Sequence, residues 1–271
     1  MRVALAGFGN SGQDVARRLT RGDLPGAKLT AVTARDLDKA RTNAIALSPS
    51  PKVVPLAELP QHADVIVECA TADALPEIAR IGLGAGKTVL IVSSAGLLQI
   101  PDVEALAKEH GGRLRIANGA LPGLDSLRCA REGSIRAVKL TSRIRPDSLA
   151  HEAYVLAQGH DFVNAPPKPG EQVRVFQGSA REAAAAFPRH FNVAVALSIA
   201  GIGFDRTEVE VWARSDIPGA IHQVDVEADD VSLTMCSRNR PSDTNPRTSR
   251  IVAPSIMAAL RAMVAPVVAG G

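Results

Sequence analysis

Gly7, Gly9 and Gly12 stand in a G-x-G-x-x-G spacing, Ala6-Gly7-Phe8-Gly9-Asn10-Ser11-Gly12, directly after the apolar run at residues 3–6. That order reads as strand, turn, helix, and each glycine has a separate task in a phosphate-binding turn. Gly7 allows the tight turn, Gly9 lets the backbone approach a pyrophosphate, and Gly12 lets the new helix pack closely on the strand. The helix then aims its unpaired amide N–H groups and the positive end of its dipole at the phosphates. With Asn10 inside the turn, the stretch is a candidate dinucleotide site.

A second group able to do chemistry is the imidazole of His222. In Ile221-His222-Gln223-Val224-Asp225-Val226-Glu227-Ala228, strand alternation puts His222, Val224 and Val226 on one face and Gln223, Asp225 and Glu227 on the other. Spacing alone fits a satisfied core histidine as well as a catalytic one. Asn192 stands where a helix begins and could cap it or reach a nicotinamide carboxamide. Arg143, Arg145, Arg238, Arg240 and Arg247 fall at the ends of elements, and Thr248 follows Arg247. Such a cluster could hold an anionic substrate through bidentate carboxylate contacts, although a solvated surface is the ordinary role of each.

The elements that must position these groups follow in two styles. Up to residue 117 the chain alternates strand and helix. Strands are expected at residues 3–6, 27–33, 52–54, 64–69, 88–92 and 113–117, with helices at 13–19, 37–47, 74–83 and 103–110. The run DVIVEC at 64–69 is nearly all apolar, as a parallel strand buried on both faces should be. The second strand ends in Thr33-Ala34-Arg35, with no carboxylate before Asp36 to take the adenosine ribose hydroxyls. Small residues followed by Arg35 suit a 2′-phosphate, which favours NADP over NAD. Ser93-Ser94-Ala95-Gly96 follows a strand at the carboxyl edge of the sheet, so Ser93 is a candidate for the nicotinamide end, or simply part of a turn. Gly84-Ala85-Gly86-Lys87-Thr88 resembles a Walker A loop but has Ile81 in place of the first glycine and ends a helix, so it reads as helix termination.

From residue 137 the alternation becomes period two, at 137–144, 172–176, 206–214, 221–228 and 231–237, with helical stretches at 124–132, 180–186 and 193–199. This predicts a sheet with one wet face and mainly antiparallel pairing. The expected fold is therefore α/β: an N-terminal Rossmann doubly wound parallel sheet over residues 1–118, then a second α+β domain over 119–249 with a mainly antiparallel sheet. The last helix, within 250–271, is expected to pack back on the first domain. Two domains also suit the length of 271 residues. The reacting groups should come from the second domain.

Bulk properties remove several classes of function. The net charge is +3 with basic residues scattered, and aromatics make up only 3%, which argues against a nucleic-acid or membrane surface. Three isolated cysteines, Cys69, Cys129 and Cys236, offer neither a disulfide framework nor a metal cluster, so no metal is expected. With a strand and turn at the amino terminus and no apolar run of the ~18 residues a membrane helix needs, a cytoplasmic location is expected.

Taken together, these stretches resemble the L-aspartate dehydrogenase family. The matching pieces are the Gly7–Gly12 turn, Gly86-Lys-Thr-Val-Leu-Ile-Val-Ser-Ser-Ala-Gly96, Gly111-Gly-Arg-Leu-Arg-Ile-Ala-Asn-Gly-Ala120, Phe187-Pro-Arg-His-Phe-Asn192-Val-Ala194, Ile221-His222 and Asn245-Pro-Arg-Thr-Ser249. They occur in family order over nearly the whole chain. Ala220, Asn118 and Pro122 depart from the family pattern, and residues 149–169 match nothing in it. The resemblance implies that His222 is the active-site histidine and that Ala120 and Asn192 contact the cofactor. The implied reaction is oxidation of L-aspartate by NADP or NAD to iminosuccinate and on to oxaloacetate and ammonia, or its reverse. The expected partners are a small anionic amino-acid substrate and a second copy of the chain in a homodimer, with no nucleic acid and no membrane. Two alternatives stay open: a dehydrogenase of another amino or imino acid, and a non-catalytic NADP-binding regulator.

Overall fold

Short apolar strands separated by amphipathic helices build a parallel sheet from the first part of the chain. A computed structural model describes residues 1–187, 191–242 and 248–269. The strands of the first sheet are β1 (Arg2–Ala6), β2 (Lys28–Thr33), β3 (Lys52–Val53), β4 (Val65–Glu68), β5 (Thr88–Ile91) and β6 (Arg113–Ile116). They alternate with α1 (Asn10–Thr20), α2 (Leu37–Ile45), α3 (Leu75–Gly84) and α4 (Val103–Glu109). The strands lie in the order β3-β2-β1-β4-β5-β6 and every pairing is parallel. The order reverses between β1 and β4, and at such a switch point the loops at the carboxyl ends diverge and leave a crevice. β4 is buried along its whole length, as its apolar run requires.

α3 ends as the glycines of its last turn demand. Gly86 has φ +68°, its N–H donates to the Leu83 carbonyl at 2.9 Å, and the Lys87 N–H donates to the Gly82 carbonyl at 3.0 Å. That is a Schellman-type stop, so the Walker-like stretch is a helix terminus.

The second sheet comprises β7 (Ile135–Ile144), β8 (Gln172–Ser179), β9 (Thr207–Arg214), β10 (Ile221–Ala228) and β11 (Ser232–Arg238), in the order β11-β10-β7-β9-β8. β7 and β9 pair in parallel and the other neighbours are antiparallel. Its helices are α5 (Leu124–Arg131), the short α6 (Pro146–Leu149) and α7 (Ala153–Ala157), α8 (Ala180–Ala186) and α9 (Asn192–Ala200). One face of the sheet is apolar and buried, with Val138, Leu140, Val209, Val211, Val224 and Val226 on it. The other carries Lys139, Glu208, Glu210 and Asp225. β8 runs three residues beyond the expected stretch at 172–176. A bulge between Arg174 and Phe176 shifts its alternation by one residue, which masks the second half from a period-two reading. Within residues 149–169, Val155 is fully buried and Tyr154 packs against Phe176 and Phe187, with ring centroids 5.7 and 5.4 Å away.

The helix α10 (Val252–Val264) lies within the stretch expected to hold the last helix. Ala253, Ile256, Met257 and Leu260 share one stripe at i, i+3, i+4 and i+7 and enter the core formed by Val3, Leu5, Val15, Ala16 and Leu19. Contacts divide the chain into two units. Met1–Gly119 with Val252–Ala269 is one, and Ala120–Ile251 is the core of the other.

Candidate active site

The glycine turn is built by contacts that exclude side chains at two positions and leave space at the third. Gly7 has φ +106°, and a Cβ there would lie 2.5 Å from the Cys69 carbonyl carbon. A Cβ on Gly12 would lie 2.3 Å from the Gly7 oxygen, so α1 can sit on β1 only without one. At Gly9 a Cβ would meet nothing within 4 Å. Gly9 is the N-cap of α1, no side chain caps that end, and its first turn carries no acidic residue. A helix start that no side chain caps, with open space beside its N-cap glycine, suits a phosphate, and the residues present fit a dinucleotide. Backbone bonds pin the turn, from the Gly7 N–H to the Thr33 carbonyl at 2.9 Å and from the Cys69 N–H to the Ala6 carbonyl at 2.8 Å.

Arg35 is exposed just past β2. The neighbouring Asp36 is the N-cap of α2, and its carboxylate accepts the Lys39 N–H at 2.9 Å. The first carboxylate after β2 is therefore committed to a helix start. Ser93, at the end of β5, is buried, and its hydroxyl donates to the Ala70 carbonyl at 3.1 Å. Its N–H donates to Glu68 Oε2 at 2.9 Å. Glu68 was not among the residues singled out from the sequence. Its signal there is a lone charge closing a buried apolar run.

His222 sits on the buried face of β10, as alternation requires, with 5% of its surface exposed. Its Nδ1 lies 2.9 Å from Ser142 Oγ, directly across on β7. Burial brings the imidazole down to about 4, so at neutral pH the ring is uncharged. With Nδ1 engaged, Nε2 is the nitrogen left to take or give a proton. Ser142 was also missed, because only the cross-strand register makes it a neighbour.

The remaining candidates are spread through the second unit. The Ala120 carbonyl accepts the Ser237 hydroxyl at 2.8 Å and the Asn239 amide at 3.4 Å, and Ser237 is the β11 partner of His222. Ala120 is thus tied to the strand beside the histidine. Asn192 is the first residue of α9, and Phe191 holds the N-cap position, so the capping role considered for Asn192 does not hold. Arg143 neighbours Ser142 in β7 and so points from the face opposite His222, where its Nε approaches Gln172 Oε1 at 3.4 Å. Arg145 makes a two-pronged pair with Asp147 at 3.0 and 2.7 Å. Arg143 is therefore not on the imidazole's face of the sheet. Thr248 is half-buried, and its carbonyl accepts the Ser242 N–H at 2.7 Å. Arg247 lies outside the described residues. Among the described residues no cluster of metal-ligating side chains forms, and no helix is long and apolar enough to cross a membrane.

Relatives place this arrangement in a family. Residues 125–263 match the family model "Aspartate dehydrogenase, C-terminal", and residues 7–117 match "Homoserine dehydrogenase, NAD binding domain". The chain is 43% identical over 269 residues to L-aspartate dehydrogenase 3 of Bordetella bronchiseptica, covering 99% of this chain and 97% of the relative. It is 39% identical to the L-aspartate dehydrogenase of Bradyrhizobium diazoefficiens, covering 96% and 91%. In three dimensions it is similar to the aspartate dehydrogenase of Thermotoga maritima, with a TM-score of 0.73 at 20% identity over 100% and 99% of the two chains. The glycine turn, the parallel sheet behind it and this end-to-end relation lead to one conclusion: the chain belongs to the L-aspartate dehydrogenase family and is a nicotinamide-dependent amino-acid dehydrogenase.

Proposed function

We infer that the substrate is L-aspartate, oxidised to iminosuccinate and then hydrolysed to oxaloacetate and ammonia, or formed by the reverse reductive amination. The observation that carries this reading is the buried His222 imidazole, pinned by Ser142, in a chain related along its full length to L-aspartate dehydrogenases. The cofactor, when bound, supplies the hydride chemistry. The chain's own part is proton handling and orientation. His222 accepts a proton at Nε2 from the water that attacks the imine carbon, and returns it in the reductive direction. A neutral imidazole can do this without a prior deprotonation, while Ser142 fixes the ring's rotation and tautomer.

The substrate carboxylates fall to Arg247 and Thr248 in this reading. Arg143 lies on the other sheet face and Arg145 is already paired with Asp147. At the other end of the reaction, Gly7, Gly9, Asn10 and Gly12 receive the pyrophosphate, and Ser93, Ala120 and Asn192 receive the nicotinamide half.

NADP is the preferred coenzyme in this reading. Asp36 is occupied as a helix cap and Arg35 is exposed beside it, so the end of β2 offers a cation to a 2′-phosphate rather than a carboxylate to a ribose. Arg35→Ala should weaken NADPH binding by roughly tenfold, about the worth of one charge-assisted contact, and leave NADH nearly unchanged. Equal losses for both coenzymes would remove Arg35 from that role.

The function is tested by mixing the purified protein with oxaloacetate, ammonium and NADPH and following the reduced cofactor. Steady oxidation with formation of L-aspartate is the expected result. Cofactor binding with no turnover of oxaloacetate, but turnover of another oxo acid, would move the substrate assignment. Binding with no turnover of any would indicate a regulator.

A further inference from the structure

Glu68 is a buried acid that the chemistry above does not use. It closes β4 with none of its surface exposed. Its Oε1 accepts the Ala70 N–H at 2.7 Å, and its Oε2 accepts the Val92 and Ser93 N–H groups at 3.0 and 2.9 Å. One side chain thus ties the loop after β4 to the loop after β5. The first of those loops also lies against the glycine turn, because a Cβ on Gly7 would meet Cys69 and Ala70 backbone atoms at 2.5 and 2.6 Å.

Burial pushes this carboxyl up from its ordinary range, and the amides push back. All three amides are donors with fixed hydrogens, and both carboxylate oxygens already serve them. The ionised carboxylate is the form that matches its surroundings, and among the described residues no cation pairs with it. The Glu68 carboxyl therefore stands under the carboxyl edge of β4 and β5, with three amide donors that suit its ionised form. In a doubly wound sheet the crevice at the switch point lies along that edge, and the half containing β4 and β5 receives the second mononucleotide.

Given the nicotinamide cofactor on which this rests, we propose that Glu68 is a positioning residue for the cofactor's nicotinamide half and that its buried negative charge makes the site favour the cationic, oxidised ring over the neutral, reduced one. The bias arises because a charge enclosed by protein is screened far less than one in water, so it acts on a second charge several ångströms away. The reduced ring carries no such charge and does not feel it.

The test is Glu68→Gln, with dissociation constants for oxidised and reduced cofactor measured by calorimetric titration against the unaltered protein. Loss of the carboxylate should raise the ratio of the oxidised to the reduced dissociation constant by roughly tenfold. A purely structural role would weaken both forms equally, so an unchanged ratio overturns the proposal even if both affinities fall. If the variant does not fold, the unaltered protein decides the matter by infrared spectroscopy with glutamate isotopically labelled. With oxidised cofactor bound at neutral pH, a protonated-carboxyl band from a buried glutamate overturns the proposal, and its absence supports it. Binding of neither cofactor form by the unaltered protein would instead remove the cofactor reading itself.

Discussion

His222→Ala should lower turnover of L-aspartate by roughly 10²–10⁴-fold, the usual share of one general acid–base group. Cofactor affinity should hold, since the glycine turn belongs to the other unit of the chain. The imidazole stands on the buried face of β10 with Ser142 Oγ 2.9 Å from Nδ1 and Nε2 left for proton transfer. His222→Asn, which can still bond the Ser142 hydroxyl, separates chemistry from packing. It should keep the melting temperature closer to that of the parent and still lose the rate. An unchanged rate in either variant would return His222 to the role of a buried histidine satisfied by a serine. Steady-state kinetics with thermal melting of the same preparations decides between the two.

The second large effect is expected at the glycine turn, where two substitutions of the same size should fail differently. Gly7→Ala places a methyl 2.5 Å from the Cys69 backbone at φ +106°, a conformation that costs an L-residue about 1–3 kcal/mol before the clash is counted. The turn must move, and both cofactor affinity and melting temperature should fall. At Gly9 a Cβ meets nothing within 4 Å, so Gly9→Ala should fold as well as the parent. Its methyl would occupy the space the backbone leaves for the pyrophosphate, and affinity should drop by roughly tenfold or more with the melting temperature unchanged. Equal behaviour of the two variants in titration and melting would show that the open side of Gly9 is not where phosphate sits.

Much of this architecture was legible because its signals are local. β4 announces itself as an apolar run, and Gly7, Gly9 and Gly12 as a turn with a separate task for each glycine. Alternation put His222 on the correct face. What stayed hidden depends on pairings between distant segments. Ser142 meets His222 only through the β7–β10 register, eighty residues apart. The same register sends Arg143 to the opposite face, which its position at a strand end could not reveal. The bulge in β8 broke the period that would have shown its full length. Asn192 looked like a helix cap, yet the helix begins with it and Phe191 precedes it as the cap residue.

The membership of α10 in the first unit has a consequence for how the protein is made. A ribosome delivers β1 and α1 early, but Ile256, Met257 and Leu260, which close their core, only after the whole of Ala120–Ile251 has emerged. During synthesis the nascent cofactor half exposes the apolar surface those side chains will cover, and its final consolidation waits until α10 has emerged.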